Sequence, residues 1–462
     1  MRPEEMVDEA LACADGLDGC VAIVTVSSRV DLRWARTTLT TNGESRGLDL
    51  TVVAFAKRPD GVATATVSRT QPDRAAIADM VREVGHAAAQ APAADDAAPL
   101  IDPWGGPDHS WSDEAPATDS AVFTELSTGL GELFAAAAAD DIELFGYAEH
   151  TVDTVWLGTS TGLRRRHVQP AGRLEMTAKS HGRSRSTWWG MATDTFTDVD
   201  LGDALGTIQR TLNWQARRMD VQPGRHACLL TPSAMGDLMV DLWWSMAARP
   251  ALEGQSAFSA PGGGTRIGER LSERPIRLLS DPHDPQIGCA DWLATGSSSD
   301  IASVFDNGMA IPSTAWIDNG ALTHLMAPRA IAAQHQIDPI APADTLRLDD
   351  PTGTGTTEDV LSRLSDGLYI TCLWYNRLVD PQTLLLTGLT RDGVYVVRDG
   401  EVIGATTNFR FNDSPLSALG RLREVGSTER TLPREMGDYA PRVAMPSAVI
   451  EDFHLSTVSD AL

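Results

Sequence analysis

The sequence is poor in cysteine and in long apolar runs, and each shortage excludes a class of protein. No run approaches the roughly 18 apolar residues that a membrane-spanning helix needs. The acidic N-terminal residues lack the apolar core of a secretory signal. The cysteines are odd in number and contain no C-x-x-C pair, so reduced thiols in the cytoplasm are expected rather than a disulfide framework. There are five of them: Cys13, Cys20, Cys228, Cys289 and Cys372.

Basic residues are also scarce. The chain has 38 Lys and Arg against 63 Asp and Glu, a net charge of −25. Such a surface repels a phosphate backbone, so direct nucleic-acid contact is not expected. In other respects the 462 residues have an ordinary globular composition, with 42% hydrophobic and 22% charged residues. Because a single core stops growing near about 250 to 300 residues, two or three domains are expected.

Residues 1–222 predict an N-terminal α+β domain with an antiparallel sheet. An Ala- and Pro-rich stretch at about 87–118 predicts a long surface loop, which Trp104 and Trp111 should pin to the body of the protein. The arginine run Arg164–Arg166 is expected to be solvated and paired with acids. Apolar periodicity predicts helices at about 6–14, 74–89, 122–138 and 203–219. Strands are expected at 21–26, 50–56 and 62–67 in the opening α+β unit. Five further short strands, at 142–149, 154–159, 163–168, 174–179 and 186–191, are spaced as an antiparallel meander.

Residues 223–462 predict a predominantly antiparallel β domain, closed on itself like a barrel. A short strand at 227–230 precedes a helix, for which Thr231 offers an N-cap hydroxyl and Pro232 the first helical position. The apolar stripe predicts that this helix runs to about Ala248. Beyond it, Asx-Gly pairs between β-rich runs predict hairpin turns. These pairs lie at Asp318-Asn319-Gly320, Asp392-Gly393 and Asp399-Gly400.

The familiar catalytic patterns are mostly missing. The ten histidines are scattered, and none forms the helical pair with an intervening glutamate that binds zinc. A glycine-rich run at 261–268 lacks the Gly-Lys-Ser/Thr ending of a phosphate loop and predicts a surface loop instead. One further cluster, Asp281, His283 and Asp284, could hold a metal or relay a proton. Two prolines within it also fit a rigid loop without chemistry.

Several short segments, in this order and spacing, resemble the TldD/PmbA (TldE) family, once called modulators of DNA gyrase. The resemblance covers nearly the whole chain and implies an α+β N-terminal domain followed by a β-rich C-terminal domain. The matching segments are Gly254–Phe258 with the glycine-rich run and Ile267-Gly268, Phe305–Gly308, Ile317–Leu322, Val379–Thr383, Gly388–Gly393, Asp399–Glu401 and Asn408–Asn412.

The resemblance also implies which residues should carry chemistry. TldD-type chains have an H-E-x-x-x-H helix and a C-terminal cysteine that bind zinc and hydrolyse peptides, whereas PmbA/TldE-type chains lack these ligands and pair with a TldD-type subunit. Here the motif positions correspond to Val240, Asp241 and Ser245, and the cysteine position lies near Leu432. Valine cannot bind zinc, and a lone carboxylate at Asp241 has little to activate without a Lewis acid. No catalytic residue and no metal are therefore expected in this chain.

These expectations favour a non-catalytic subunit of a cytoplasmic zinc metallopeptidase complex, with zinc in a TldD-type partner and a peptide as the substrate. We expect the peptide to bind as an added strand along a sheet edge. Two alternatives remain. One is an autonomous enzyme with non-zinc chemistry, for which Asp281, His283 and Asp284 are the only candidates. The other is a non-enzymatic regulator of DNA gyrase or of a toxin system that acts through protein contacts.

Overall fold

The first half of the chain forms one six-stranded antiparallel sheet with four helices. The computed structural model describes residues 1–459. Its elements up to residue 214 are α1 (Pro3–Cys13), β1 (Gly19–Ala35), β2 (Thr38–Arg58), β3 (Gly61–Thr70), α2 (Arg74–Gln90), a 3₁₀ turn (Ser120–Phe123), α3 (Thr124–Ala139), β4 (Ile142–Thr159), β5 (Arg164–Ser180), β6 (Arg185–Thr193) and α4 (Leu201–Trp214). The strand order is β3-β2-β1-β4-β5-β6, and every neighbouring pair is antiparallel. The predicted α+β class of this half is confirmed.

The two faces of this sheet have different coverings. Side chains of successive strand residues point to opposite faces, and the even-numbered residues of β4 face the helices. Leu144 and Ala148 pack under α3 and α4, and Trp156 packs under α1 and α2. The second face carries the odd-numbered residues of β4, and its apolar end contacts Trp292 and Phe305 from the second half of the chain. The two halves therefore share a core on this face.

The predicted Ala- and Pro-rich loop exists, and its tryptophans pin it as expected. It begins after Gln90 because α2 continues that far. The indole of Trp104 donates to the carbonyl of Gly308 at 2.7 Å, and the carbonyl of Trp111 accepts from the indole of Trp156 at 3.0 Å. For Arg165 the expected pairing with an acid is confirmed, since Asp108 lies 3.7 Å away, but the expected solvation is wrong. Its guanidinium is buried, donates to a loop carbonyl and stacks 3.8 Å from the ring centre of Trp104.

The second half contains a closed barrel and a second sheet. Its elements are β7 (Gly224–Leu230), α5 (Pro232–Trp244), α6 (Ala248–Leu252), β8 (Arg277–Ser280), a 3₁₀ turn (Val304–Asp306), β9 (Thr314–Asp318), β10 (Ala321–Leu322), α7 (Arg329–His335), β11 (Leu346–Asp349), α8 (Thr357–Arg363), β12 (Asp366–Asp380), β13 (Leu385–Arg398), β14 (Glu401–Ala405), β15 (Asn408–Asp413), α9 (Pro415–Leu419), β16 (Leu422–Val425), β17 (Glu429–Thr431), β18 (Val443–Met445) and β19 (Ala448–Ser459). Strands β12, β7, β19, β15 and β13 close into a barrel, since β12 pairs with both β7 and β13. The predicted barrel-like domain is confirmed.

Helix α5 lies between the barrel and the second sheet, whose strand order is β10-β9-β8-β11-β18-β17. Eleven of its 13 residues are buried, as expected for a helix that is covered on all sides. The predicted N-cap is confirmed, since the hydroxyl of Thr231 accepts from the amide of Ala234 at 3.3 Å and Pro232 opens the helix. The helix ends at Trp244 rather than at Ala248, because the chain then pairs with Met326 through backbone hydrogen bonds.

Two of the three predicted hairpin turns are confirmed. Asn319-Gly320 joins β9 to β10, and Asp399-Gly400 joins β13 to β14; all four residues have positive φ. The prediction for Asp392-Gly393 is wrong. These residues lie inside β13 as a bulge opposite one residue of β12, and the bulge turns the Asp392 carboxylate inward.

Other boundaries differ from the predicted ones because tertiary pairing overrides local pattern. The strands expected at 142–149 and 154–159 are one strand, β4, and those at 163–168 and 174–179 are one strand, β5, since both pair along almost their full length. Helix α4 ends at Trp214 because Arg217 and Met219 bond to Ala405 instead.

The predicted division into 1–222 and 223–462 falls between α4 and β7 and stays a prediction; residues 460–462 lie outside the described residues. Within residues 1–459, none of the helices combines the length and the apolarity required to traverse a membrane.

Candidate functional site

The C-terminal half of α5 carries the three helix positions singled out in the sequence. Val240 is fully buried in the core between the barrel and the second sheet. Asp241 is partly exposed at the helix surface. Ser245 caps the C-terminus, and its hydroxyl donates to the carbonyl of Asp241 at 2.9 Å. Val240 therefore lies in the core, whereas Asp241 lies at the helix surface and Ser245 bonds to the helix backbone.

The segment that includes Leu432 lies against this helix. The carboxylate of Asp237 accepts from the backbone amides of Glu435 and Met436 at 3.0 and 3.1 Å. Pro433 packs on Gly236 so closely that a methyl group there would lie 3.0 Å from its ring. Leu432 itself is buried. The fold thus brings α5 and the segment around Leu432 together, as the family resemblance implies. The side chains at the expected ligand positions do not form a set of zinc ligands.

The electrostatics around Asp241 shift its carboxyl group toward the neutral form. Burial raises its pKa to about 7, and the nearby carboxylate of Glu435 adds to the shift, while the amide of Asn376, 3.5 Å away, opposes it. Burial also raises the pKa of Asp237 well above its ordinary value, despite the two amide bonds that it accepts. Removal from water disfavours the charged form of both acids.

The residues at these positions do not fit zinc. A catalytic zinc site needs three protein ligands and an open position, whereas Val240 and Leu432 carry no donor atom. Ser245 uses its hydroxyl within the helix. Among residues 1–459, no group of three His, Cys, Asp or Glu side chains is placed to hold a metal ion.

The cluster of Asp281, His283 and Asp284 follows β8, and backbone amides and one arginine hold its carboxylates in place. Asp281 accepts from the amide of His283 at 3.0 Å. Arg347 donates to Asp284 at 2.7 Å, and although partial burial by itself would raise the pKa of Asp284, Arg347 and two backbone amides lower it. The side chain of His283 is exposed, and no hydrogen bond joins it to either carboxylate within the described part of the chain. The cluster's chemistry stays a prediction.

A cleft of about 540 Å³ lies beside the loop that follows Leu432. Its floor is the second face of β4 and β5. Its other walls are formed by Cys289, Ala290, Trp292, Leu293, Ala294, Ile311, Pro342, Asp344, Gly437, Asp438, Tyr439, Pro441 and Arg442. We call it the interdomain cleft. The ring of Tyr439, at its rim, lies 6.0 Å from that of Trp244 at the end of α5. The cleft and the degenerate motif are therefore neighbours.

Sequence reasoning missed the polar floor of this cleft. Glu149, Thr151 and Asp153 alternate along β4 with buried residues, which is the signal of a strand with a polar side. The prediction of two short strands with a break between them hid this alternation. Arg442, on the opposite wall, has no comparable signal because it lies in a segment without periodicity.

Comparisons with known proteins agree with this architecture. Residues 223–457 match the family model of the PmbA/TldA metallopeptidase C-terminal domain. The chain belongs to the TldD/PmbA family. No curated protein matches the sequence.

Solved structures similar to this TldD/PmbA family member cover the whole fold. TldE from Thermococcus kodakarensis matches with a TM-score of 0.77 at 12% identity. Proteins described as modulators of DNA gyrase from Thermotoga maritima and Bacteroides thetaiotaomicron match with TM-scores of 0.76 and 0.75, both at 14% identity. In each case the alignment covers 98% of this chain and 99% of the other. At these identities the likeness establishes the fold.

Proposed function

We propose that this chain is a non-catalytic, TldE-like subunit that completes the substrate chamber of a zinc metallopeptidase whose metal is bound by a TldD-type partner. The observation that carries the proposal is the absence of zinc-binding side chains at the expected positions on α5 and its neighbouring loop. The family's helix and loop meet, yet Val240 and Leu432 are buried apolar residues that offer zinc no donor.

The remaining acid of the motif supports the same proposal. A general base must be ionised near the working pH and within reach of a water molecule that a metal activates. The pKa of about 7 that burial gives Asp241 would by itself suit a general base, but no set of metal ligands stands beside it to activate a water molecule. We therefore assign Asp241 no catalytic role.

Co-expression with an H-E-x-x-x-H family member from the same genome tests the proposal. We expect the two chains to copurify as a stable complex that hydrolyses unstructured peptides and loses activity when the partner's motif is changed. The chain alone should be inactive. A stable single chain that hydrolyses peptides by itself would contradict the proposal.

Asp241→Asn in this chain is the matched variant. It keeps the size of the side chain and an acceptor for Asn376, so the complex should form and retain its peptidase activity. An intact complex that loses most of its activity on this change would show that the chain supplies a catalytic carboxylate, and the proposal would be wrong.

The regulator alternative makes a different prediction, namely binding to DNA gyrase without any TldD-type chain. The net charge of −25 disfavours binding through DNA. A pull-down with purified gyrase, with and without the partner chain, separates the two functions.

A further inference from the structure

The floor of the interdomain cleft is a regular ladder of side-chain pairs. Strands β4 and β5 pair Glu149 with Arg173, Thr151 with Ala171, Asp153 with Gln169 and Val155 with His167, and all eight line the cleft. The last pair lies six residue steps along β4 from the first, which corresponds to a length of roughly 20 Å. An extended peptide of about six residues has the same length.

The positive charges of the cleft are already neutralised. Arg173 forms ion pairs with Glu149, 3.4 Å away, and with Asp438. Arg442 forms an ion pair with Asp344 and donates from Nε to its carbonyl at 3.0 Å. Neither guanidinium is therefore free to attract an acidic ligand.

One carboxylate of the cleft makes no direct contact with a positive charge. Among the described residues, the carboxylate of Asp153 has no hydrogen bond and no close ion pair, and Arg442 attracts it only from a longer distance. Gln169, directly across from it, bonds instead to His167 at 3.0 Å and to the carbonyl of Pro170. Arg442, the cation that attracts Asp153, is shared because it forms its direct ion pair with Asp344. With four carboxylates and two guanidinium groups, the cleft lining carries a net charge of −2 when His167 is neutral.

Part of the opposite wall is apolar. Trp292 and Leu293 are buried against the cleft, Ile311 lies beside them, and Tyr439 at the rim is 70% exposed. A ligand with apolar groups on one side and one positive charge on the other matches these surfaces. An extended peptide has this form because its side chains alternate between two sides.

We propose that the interdomain cleft binds an extended peptide segment of about six residues, and that Asp153 selects a lysine or arginine side chain at its centre. This inference rests on the proposed function, because it names the class of peptide that the chain would hold for a catalytic partner. Acidic peptides are disfavoured by repulsion from the net negative charge of the cleft lining.

Fluorescence anisotropy on the isolated chain tests the inference. The probes are labelled alanine hexapeptides with a central arginine, citrulline or glutamate; citrulline keeps the shape of arginine without its charge. We expect the arginine peptide to bind about fivefold to tenfold more tightly than the citrulline peptide in dilute salt. The preference should shrink at about 1 M salt, where charges are screened.

Variants locate the effect. Asp153→Asn should abolish the preference for the arginine peptide and leave the affinity for the citrulline peptide unchanged. Asp153→Glu should retain part of the preference for the arginine peptide. Asp15→Asn is the control, because it makes the same charge change at an exposed residue after α1, on the helix-covered side of the sheet. Circular dichroism and thermal unfolding check that each variant is folded.

Equal binding of the arginine and citrulline peptides, no binding of either, or a preference that survives Asp153→Asn would overturn the inference. These results are separate from the test of the proposed function. A chain that copurifies with its partner but shows no preference for arginine contradicts only the cleft inference. A chain that prefers arginine peptides but never engages a TldD-type subunit contradicts only the proposed assembly.

Discussion

Replacing Asp241 with asparagine should stabilise the protein in neutral and alkaline solution and leave its stability almost unchanged near pH 3. The carboxyl group of Asp241 has its pKa raised by burial from 3.8 to about 7 in the folded chain. In the unfolded chain the group returns to its ordinary pKa. The folded protein therefore binds this proton more tightly than the unfolded protein does.

The sign of the effect follows from proton linkage. Stability from a group whose pKa is raised by folding is fully present below the unfolded pKa and is lost as the pH rises through the folded pKa. The pH window is thus about 4 to 7, as the two pKa values set it. A shift of about three units corresponds to a ceiling of about 4 kcal/mol. Because Asp241 is partly exposed, solvent screening reduces our expectation to about 2 kcal/mol.

The assay is urea unfolding followed by tryptophan fluorescence at several pH values for the wild type and the variant. The difference in unfolding free energy should be near zero at about pH 3 and should reach about 2 kcal/mol in favour of Asp241→Asn at about pH 8. Asp15→Asn, a change at an exposed acid, should show no such rise. A flat difference across the window for Asp241→Asn would refute the argument.

Three further predictions concern the fold and the motif. Arg434→Met should lower the free energy of unfolding, measured in urea, by about 3 kcal/mol, because Arg434 pairs with the buried Asp392 at 2.6 Å. Adding Asp392→Asn should recover part of this loss. If the effects of the two changes simply add, the pairing is contradicted. Gly146→Ala should lower stability by about 2 kcal/mol, since a methyl group there would collide with the carbonyl of Glu175; an unchanged melting temperature would contradict this. After dialysis, mass spectrometry should find zinc far below one equivalent, and one tightly held zinc per chain would contradict our account of Val240 and Leu432.

Local sequence signals predicted those elements whose causes are local. Thr231-Pro232 predicted the start of α5, because a capping hydroxyl and a fixed φ act within one turn. Asp399-Gly400 predicted a hairpin because both residues tolerate positive φ. Asp392-Gly393 carries the same signal but lies in a bulge, since its neighbours on β12 and the buried Arg434 decide where that carboxylate points.

The candidate site was predictable only in part. Matching the motif to Val240, Asp241, Ser245 and Leu432 shows from the residue types alone that zinc donors are missing. The sequence does not show that Asp241 is half-buried beside Glu435, because that proximity joins segments almost 200 residues apart. The same holds for the interdomain cleft, whose walls come from both halves of the chain.

By itself, then, the sequence determined the fold class, the acidic charge and the loss of metal donors, because each depends on residue type and short-range spacing. The tertiary structure alone decided which carboxylates are paired and which are not. Arg173 and Arg442 form their direct ion pairs with other acids, so that Asp153 has only the longer-range attraction of Arg442. Pairing of charges depends on distances of a few ångströms between strands and loops, and only the folded chain sets those distances.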